Sequence, residues 1–166
     1  MSASKIKARK HFRLACDIAD DLEDFEKAIE ELDKAIQLSP SATVCWTTKG
    51  HFYSELGKFK EAKKSFRTAT KLAPERSLTW AGLGMAQMNL KEYKSAAQNF
   101  RKAVNLQPDF NLYTMLANVE LTFDPKLALA DAKKALKLEP NWDEALKVHK
   151  AAEQVIAKKG KGGRKI

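Results

Sequence analysis

The sequence has little of what anchors or cross-links a chain. Its 166 residues include two cysteines, Cys16 and Cys45, which are too few for the disulfide framework of a small secreted domain. No run approaches the ~18 apolar residues of a membrane helix, and no apolar signal core follows the N-terminus. We therefore expect a reducing compartment, the cytoplasm or alternatively the nucleus. The basic, acid-free residues 1–13 also suit a mitochondrial transit peptide, although they are needed for the first predicted helix.

The sequence also lacks the residue groupings that carry chemistry. Its three histidines, His11, His51 and His149, are far apart and have no cysteine or carboxylate at metal-ligand spacing. A phosphate-binding loop is missing too, since the glycines at 160, 162 and 163 lie in a charged tail. We therefore expect no enzyme activity, no metal and no cofactor.

Charge is distributed unevenly along the chain. Residues 17–33 contain nine acids and one base, a local sum of −8, which leaves +17 on the rest of a chain whose net charge is +9. Such polarity bears on partners rather than on fold. The acidic residues are Asp17, Asp20, Asp21, Glu23, Asp24, Glu26, Glu30, Glu31 and Asp33.

A period of 34 residues organises the chain. Pro40, Pro74 and Pro108 are 34 residues apart, and Pro140 follows 32 residues later. Apolar residues recur at the same step and fall at helical spacing within each unit. The matched positions are Leu22, Leu56 and Leu90; Phe25, Phe59 and Tyr93; Ala28, Ala62 and Ala96; Leu32, Phe66 and Phe100; Ala35, Ala69 and Ala103; Leu38, Leu72 and Leu106.

Each unit predicts two helices joined by a short turn and closed by a proline. The second copy has Trp46, Gly50, Tyr53, Ala62, Phe66, Ala69 and Pro74, and the third has Trp80, Leu83, Gly84, Ala96, Phe100, Ala103 and Pro108. This pattern resembles the tetratricopeptide repeat (TPR) family, with Gln87 departing at the aromatic position of the third copy. Small residues such as Gly50 and Gly84 predict close approach of the paired helices.

The outer copies are less regular. The first has Phe12, Ala15 and Cys16 at its key positions, and the fourth aligns on Tyr113, Leu116 and Ala117. In the fourth, Asp124 and Pro125 replace the usual turn and predict an N-cap with proline at the first helical position. A final helix over 141–158, with Asn141 and Glu144 as a capping pair, would close the stack.

The resemblance implies an all-α fold, a right-handed α-solenoid of antiparallel helix pairs. We expect a TPR domain over 1–158, with repeats at about 9–42, 43–76, 77–109 and 110–140, a capping helix at 141–158, and a basic disordered tail at 159–166.

The resemblance also implies a binding surface. In the family, the first helices of successive repeats line a concave groove. Apolar Leu78, Met85 and Met88 there predict a site for a peptide or amphipathic helix of a partner protein, so that the chain acts as an adaptor or scaffold. The positions carried over are Val44, Thr47, His51, Ser54, Leu78, Ala81, Met85, Met88, Asn111, Thr114 and Asn118.

One TPR subclass clamps the acidic C-terminal peptide of heat-shock chaperones with lysine, arginine and asparagine. Neither register of this chain provides two cations at those positions, and Asp17 would repel a carboxylate. We therefore expect no such peptide. The two registers are Arg13, Asp17, Thr48, Leu78 and Gly82, or Thr47, His51, Gly82, Asn111 and Met115.

Two alternatives remain open. The first is binding of nucleic acid or another anionic surface, although the aromatic residues are expected to be used in packing rather than in base stacking. The second is self-assembly, with the acidic run of one copy against a basic face of the next. The candidate cations are Lys158, Lys159, Lys161, Arg164 and Lys165 in the tail and Lys60, Lys63, Lys64, Arg67 and Lys71 on a second helix.

Overall fold

The structure is a computed structural model that describes residues 3–22 and 24–162. Within those residues it contains nine α-helices and no strand, an all-α helical-repeat solenoid as predicted. The helices are α1 Ala3–Leu22, α2 Phe25–Leu38, α3 Thr43–Glu55, α4 Phe59–Leu72, α5 Ser77–Asn89, α6 Tyr93–Leu106, α7 Phe110–Glu120, α8 Pro125–Leu138 and α9 Asp143–Gly162.

The chain divides into two compact units. Residues 1–90 form the first unit, which holds α1 to α5, and residues 91–166 form the second, which holds α6 to α9. Helices adjacent in sequence pack together within each unit: α1 with α2 and α3 with α4 in the first, and α7 with α8 in the second. The predicted helix hairpins are therefore present in both.

The core follows the 34-residue period. Small and large apolar side chains at the repeated positions of the second helices are all at most 1% exposed. Alanine leaves room for the facing helix, while phenylalanine or leucine fills the space beside it. The residues are Ala28, Leu32 and Ala35; Ala62, Phe66 and Ala69; Ala96, Phe100 and Ala103; Ala128, Ala132 and Ala135.

Side-chain caps fix three helix starts. The Oδ1 atoms of Asp24 and Asp109 accept from the amides of Lys27 at 3.0 Å and Leu112 at 3.1 Å. Asp124 Oδ1 accepts from the amides of residues 126 and 127, with Pro125 at the first helical position. The predicted Asp124 and Pro125 start of α8 is thus confirmed.

The start of α9 corrects the sequence analysis. The Leu146 amide donates to the Trp142 carbonyl and α9 begins at Asp143, so Trp142 holds the N-cap position and the predicted Asn141 cap is wrong. Asn141 lies in the turn that follows Pro140, just as Ser41 follows Pro40 before the N-cap Ala42. The helix continues to Gly162, so residues 159–162 of the expected tail are helical, while 163–166 lie outside the described residues.

The cysteines lie in or beside the core of the first unit. Cys45 is buried, and burial raises the pKa of its thiol to about 11. Cys16 is half-buried, and its thiol pKa is raised by burial and then by Asp20 and Asp17. Both thiols are therefore protonated near neutral pH and unreactive. No helix between residues 3 and 162, residue 23 apart, has the length and apolarity to cross a bilayer.

Candidate partner-binding surfaces

The expected groove residues fall at repeat-equivalent positions with distinct exposure. The first position of each set is open: Val44 is 46% exposed, Leu78 is 58% exposed, and Asn111 is exposed. Val44 and Leu78 are the second residues of α3 and α5, which pack beside each other in the first unit. Two branched aliphatic side chains thus face solvent from neighbouring first helices.

The second position is buried in all three copies. Thr47, Ala81 and Thr114 are at most 8% exposed. The two threonine hydroxyls donate to carbonyls one turn back in their own helices, at 3.0 Å for Thr47 to Thr43 and 2.7 Å for Thr114 to Phe110. These residues therefore support the first helices and offer little surface to a partner.

The third position differs between copies in side-chain type and in exposure. Met85 is 37% exposed and lies two turns after Leu78 on the same face of α5, whereas Asn118 is exposed on α7 in the second unit. His51 is half-buried, and its ring packs edge-on against Phe66 with centroids 5.0 Å apart. Burial lowers the pKa of His51, so its imidazole is neutral at physiological pH.

The last two groove residues add less surface. Ser54 and Met88 are half-buried, and the Ser54 hydroxyl donates to the Gly50 carbonyl at 3.0 Å. Among the expected groove residues of the first unit, the exposed apolar side chains are therefore Val44, Leu78 and Met85.

Phe66 supports this surface from beneath. A Cβ at Gly50 would lie 2.8 Å from its Cζ, which confirms the predicted close approach, and a Cβ at Gly82 would lie 2.3 Å from its Cε1. The sequence analysis did not assign a packing role to Gly82.

Several carboxylates of the acidic run pair with cations of the same chain. Glu31 accepts from His11 at 2.7 Å and from Lys34 at 2.6 Å, and these hydrogen bonds lower the pKa of its carboxyl, with Lys34 the larger contributor. Asp33 pairs with Lys49, and Glu26 with Lys58 at 3.0 Å. Residue 23 and the side chain of residue 21 lie outside the described part of the chain. The run therefore offers a second copy less charge than its composition indicates.

The candidate cations are only partly described. Lys158 and Lys159 are exposed on α9, and Lys60, Lys64, Arg67 and Lys71 are exposed on α4 with Lys63 half-buried. The side chain of Lys161 and the whole of Arg164 and Lys165 lie outside the described residues. Within the described residues, no group of three histidine, cysteine or carboxylate side chains could hold a metal ion.

The second unit contains a buried charge cluster that the sequence analysis missed. Glu120, 1% exposed, pairs through Oε1 with Arg101, and its Oε2 has no hydrogen-bond partner. Arg101 also lies 3.5 Å from Asp131, which accepts from Lys134 at 2.6 Å. Burial, and then the charge of Asp131, raise the pKa of Glu120 to about 7. In the second repeat the aromatic residue Tyr53 follows the small residue Gly50 by three positions. The same spacing from Ala117 in the fourth repeat leads to Glu120, so the sequence could have placed Glu120 at the aromatic core position.

Solved structures support the fold. A structure of MamA aligns with a TM-score of 0.78 at 20% identity over 96% of this chain and 97% of that chain. YrrB, a TPR protein with an unusual peptide-binding site, aligns at 0.71 and 19% identity over 93% and 92%. The first TPR of Spaghetti (RPAP3), bound to the HSP90 peptide SRMEEVD, aligns at 0.67 and 23% over 69% and 93%. No curated protein sequence matches this chain.

Family profiles agree with the repeat period. Two profiles described as tetratricopeptide repeat match residues 7–41, 44–76 and 77–110, more than half of the chain. These ranges fall within two residues of the predicted first three repeats. The chain belongs to the tetratricopeptide repeat family.

Proposed function

We propose that this chain is a protein-interaction module, an adaptor or scaffold, that holds a peptide or amphipathic helix of a partner protein on the first-helix face of α3 and α5. The single observation that carries the proposal is the exposure of Val44 and Leu78 at equivalent positions, with Met85 beside them on α5. Aliphatic side chains repeated on neighbouring helices are what an apolar face of a partner needs.

The energetic scale supports this choice. Covering a large aliphatic or methionine side chain contributes about 1.5–3 kcal/mol at full burial, so three half-exposed side chains together supply a few kcal/mol. Met85 is also flexible and polarizable, which lets it adapt to different apolar partners. The neutral, half-buried His51 beside them adds no charge to this face. Affinity would thus come from apolar contact, and specificity from the polar rim.

An acidic chaperone peptide suits this face poorly. The peptide in the Spaghetti structure ends in two glutamates, a valine and an aspartate. In this chain one clamp position is the aliphatic Leu78, and Asp17 is an exposed acid on α1. Carboxylate binding needs cations with several donors, so we propose an apolar or amphipathic ligand instead.

Affinity capture with matched variants tests the proposal. The chain would be immobilised as wild type, as Leu78→Ser/Met85→Ser and as Leu72→Ser, the last a control on α4 where leucine is 40% exposed. We expect partners held by wild type and by the control to be lost from the double variant. If the double variant captured the same partners as wild type, the partners would not bind on the α3 and α5 face.

A further inference from the structure

An exposed aromatic ring marks the turn between α7 and α8. Phe123 is 39% exposed, which corrects the expectation that the aromatic residues are used in packing. The turn that carries it is tightly hydrogen-bonded: the amide of Phe123 donates to the Glu120 carbonyl at 3.0 Å, and the amide of Asp124 donates to the same carbonyl at 2.6 Å. The ring is therefore displayed by fixed backbone.

Three adjoining clefts meet at this ring. Phe123 lines each of them, and their volumes are about 480, 500 and 610 Å³. Leu127 forms an apolar wall in one cleft and Ile156 in another. A ring shared by several clefts with aliphatic walls offers separate places for two side chains of one ligand.

Cations surround the clefts. Lys94, Lys102, Lys126 and Lys159 contribute to their linings, and all four are exposed. The carboxylates at the same clefts are already engaged within the chain. Glu120 pairs with Arg101, Asp124 accepts from the first amides of α8, and Glu92 is engaged as well. With Lys91 and Arg101, six cations line the three clefts against these three carboxylates, so the net charge at the rim is positive.

We propose that the surface around Phe123 is a second partner site, which takes an acidic peptide segment carrying large apolar side chains. The apolar side chains would lie against Phe123 with Leu127 or Ile156, and the carboxylates would meet the rim lysines. An aromatic anchor within a charged rim is the arrangement that concentrates binding energy in protein interfaces. The site lies wholly in the second unit, so it is independent of the α3 and α5 face.

Nucleic acid is the rival occupant. Base stacking needs successive open aromatic faces, whereas here the Phe123 ring is more than half covered and Tyr93, which lines one of the same clefts, is half-buried. The aliphatic walls favour a peptide for the same reason. A single-stranded oligonucleotide therefore serves as a competitor in the test.

The test uses the full chain labelled with nitrogen-15 and followed by amide chemical shifts. The probe is acetyl-Glu-Leu-Asp-Phe-Glu-amide, the matched neutral probe is acetyl-Gln-Leu-Asn-Phe-Gln-amide, and the competitor is a pentamer of deoxythymidine. We expect the acidic peptide to shift the signals of residues 94–102 and 122–127 saturably, and the neutral peptide to bind at least about fivefold more weakly.

Variants separate the site from general surface charge. We expect Phe123→Ala and Lys94→Gln/Lys126→Gln each to weaken the acidic peptide at least about fivefold. Lys133→Gln and Leu138→Ala, on exposed residues of α8 outside the clefts, should change its affinity by less than about twofold. Leu78→Ser/Met85→Ser should leave it unchanged, which distinguishes this site from the α3 and α5 face.

Several results would overturn the site. One is that the neutral peptide or the oligonucleotide binds the wild-type chain as tightly as the acidic peptide does. Another is that Phe123→Ala or the double lysine variant binds the acidic peptide as tightly as wild type does. A third is the absence of any saturable shift up to about 5 mM peptide. The double lysine variant keeps the test decisive if Phe123→Ala does not fold.

Discussion

The α3–α4 and α7–α8 hairpins follow one repeat pattern but fill their interiors differently. Between α3 and α4, Phe66 is 1% exposed and packs against Gly50, and the aromatic position of the first helix is Tyr53. Between α7 and α8 the corresponding residues are Ala132 and Glu120. The regular hairpin is therefore closed by rings, and the irregular one by small residues with a buried carboxyl, Glu120, that pairs with the half-exposed Arg101 of α6.

The difference lies in which residues fill the space between the paired helices. A buried carboxyl with one unpartnered oxygen stabilises poorly, because its desolvation is not fully repaid. At the turn of the α7–α8 hairpin, Phe123 faces solvent. The first unit thus presents an aliphatic face over a closed core, and the second presents a ring with cations.

The largest expected effect tests whether Phe66 closes the regular hairpin. Phe66→Ala should lower the free energy of unfolding by about 3–5 kcal/mol, because it removes a fully buried ring and leaves a cavity. Phe123→Ala, on a ring 39% exposed, should cost less than about 1 kcal/mol. Denaturant unfolding measures both, and similar costs for the two would erase the proposed contrast.

The next effect concerns Glu120 and pH. Its pKa in the folded chain is about 7, above the ordinary value of 4.5, so the unfolded state binds fewer protons than the folded state between these values. Stability contributed by this group therefore falls as pH rises from about 4.5 to 7, by roughly 3 kcal/mol. Glu120→Gln cannot lose a proton and should flatten this part of the profile.

The control for that profile is Glu144→Gln, on an exposed residue of α9. Unfolding free energies at pH 5 and pH 8 would be compared for wild type and both variants. If the unfolding free energy of Glu120→Gln changed with pH as much as that of wild type, the buried carboxyl would not titrate in this range.

A smaller effect tests the contact beneath the aliphatic face. Gly82→Ala should destabilise by about 1–3 kcal/mol, since the new Cβ would overlap a buried ring that cannot move freely. The same change in a Phe66→Leu background should cost clearly less, because the ring carbon is gone. Additive costs in this double-mutant cycle would place the strain elsewhere.

The smallest expected effect compares two turns. Gly57 and Lys91 both have positive φ, 67° and 60°, at equivalent positions after α3 and α5. Gly57→Ala should cost about 1 kcal/mol and Lys91→Gly should gain up to about 1 kcal/mol, since only glycine adopts this backbone without strain. Thermal unfolding measures both shifts, and signs that agree would contradict the shared turn geometry.

Periodicity was sufficient to predict the repeated core. The positions of Ala62, Phe66 and Ala69 follow from their spacing alone, because a helix brings residues three and four apart to one face. The start of α8 at Asp124 and Pro125 followed from the chemistry of a single cap. In both cases local sequence and tertiary packing favour the same result.

What the sequence did not reveal depends on contacts between helices. The close approach of Gly82 to Phe66 is set by the crossing of α5 and α4, which one helix's pattern does not contain. The burial of Thr47, Ala81 and Thr114 likewise depends on neighbouring helices. The exposure of Phe123 follows from a turn that departs from the family pattern, so analogy with the regular copies predicted it wrongly.

The central claim is that a partner lies on the first-helix face of α3 and α5. Its most direct measurement is photo-cross-linking from benzoylphenylalanine placed at position 85 of α5 or at position 71 of α4, both exposed. The account predicts a partner cross-link from position 85 that Leu78→Ser abolishes, and none from position 71. Cross-linking from position 71 alone, or equally from both positions, would contradict it.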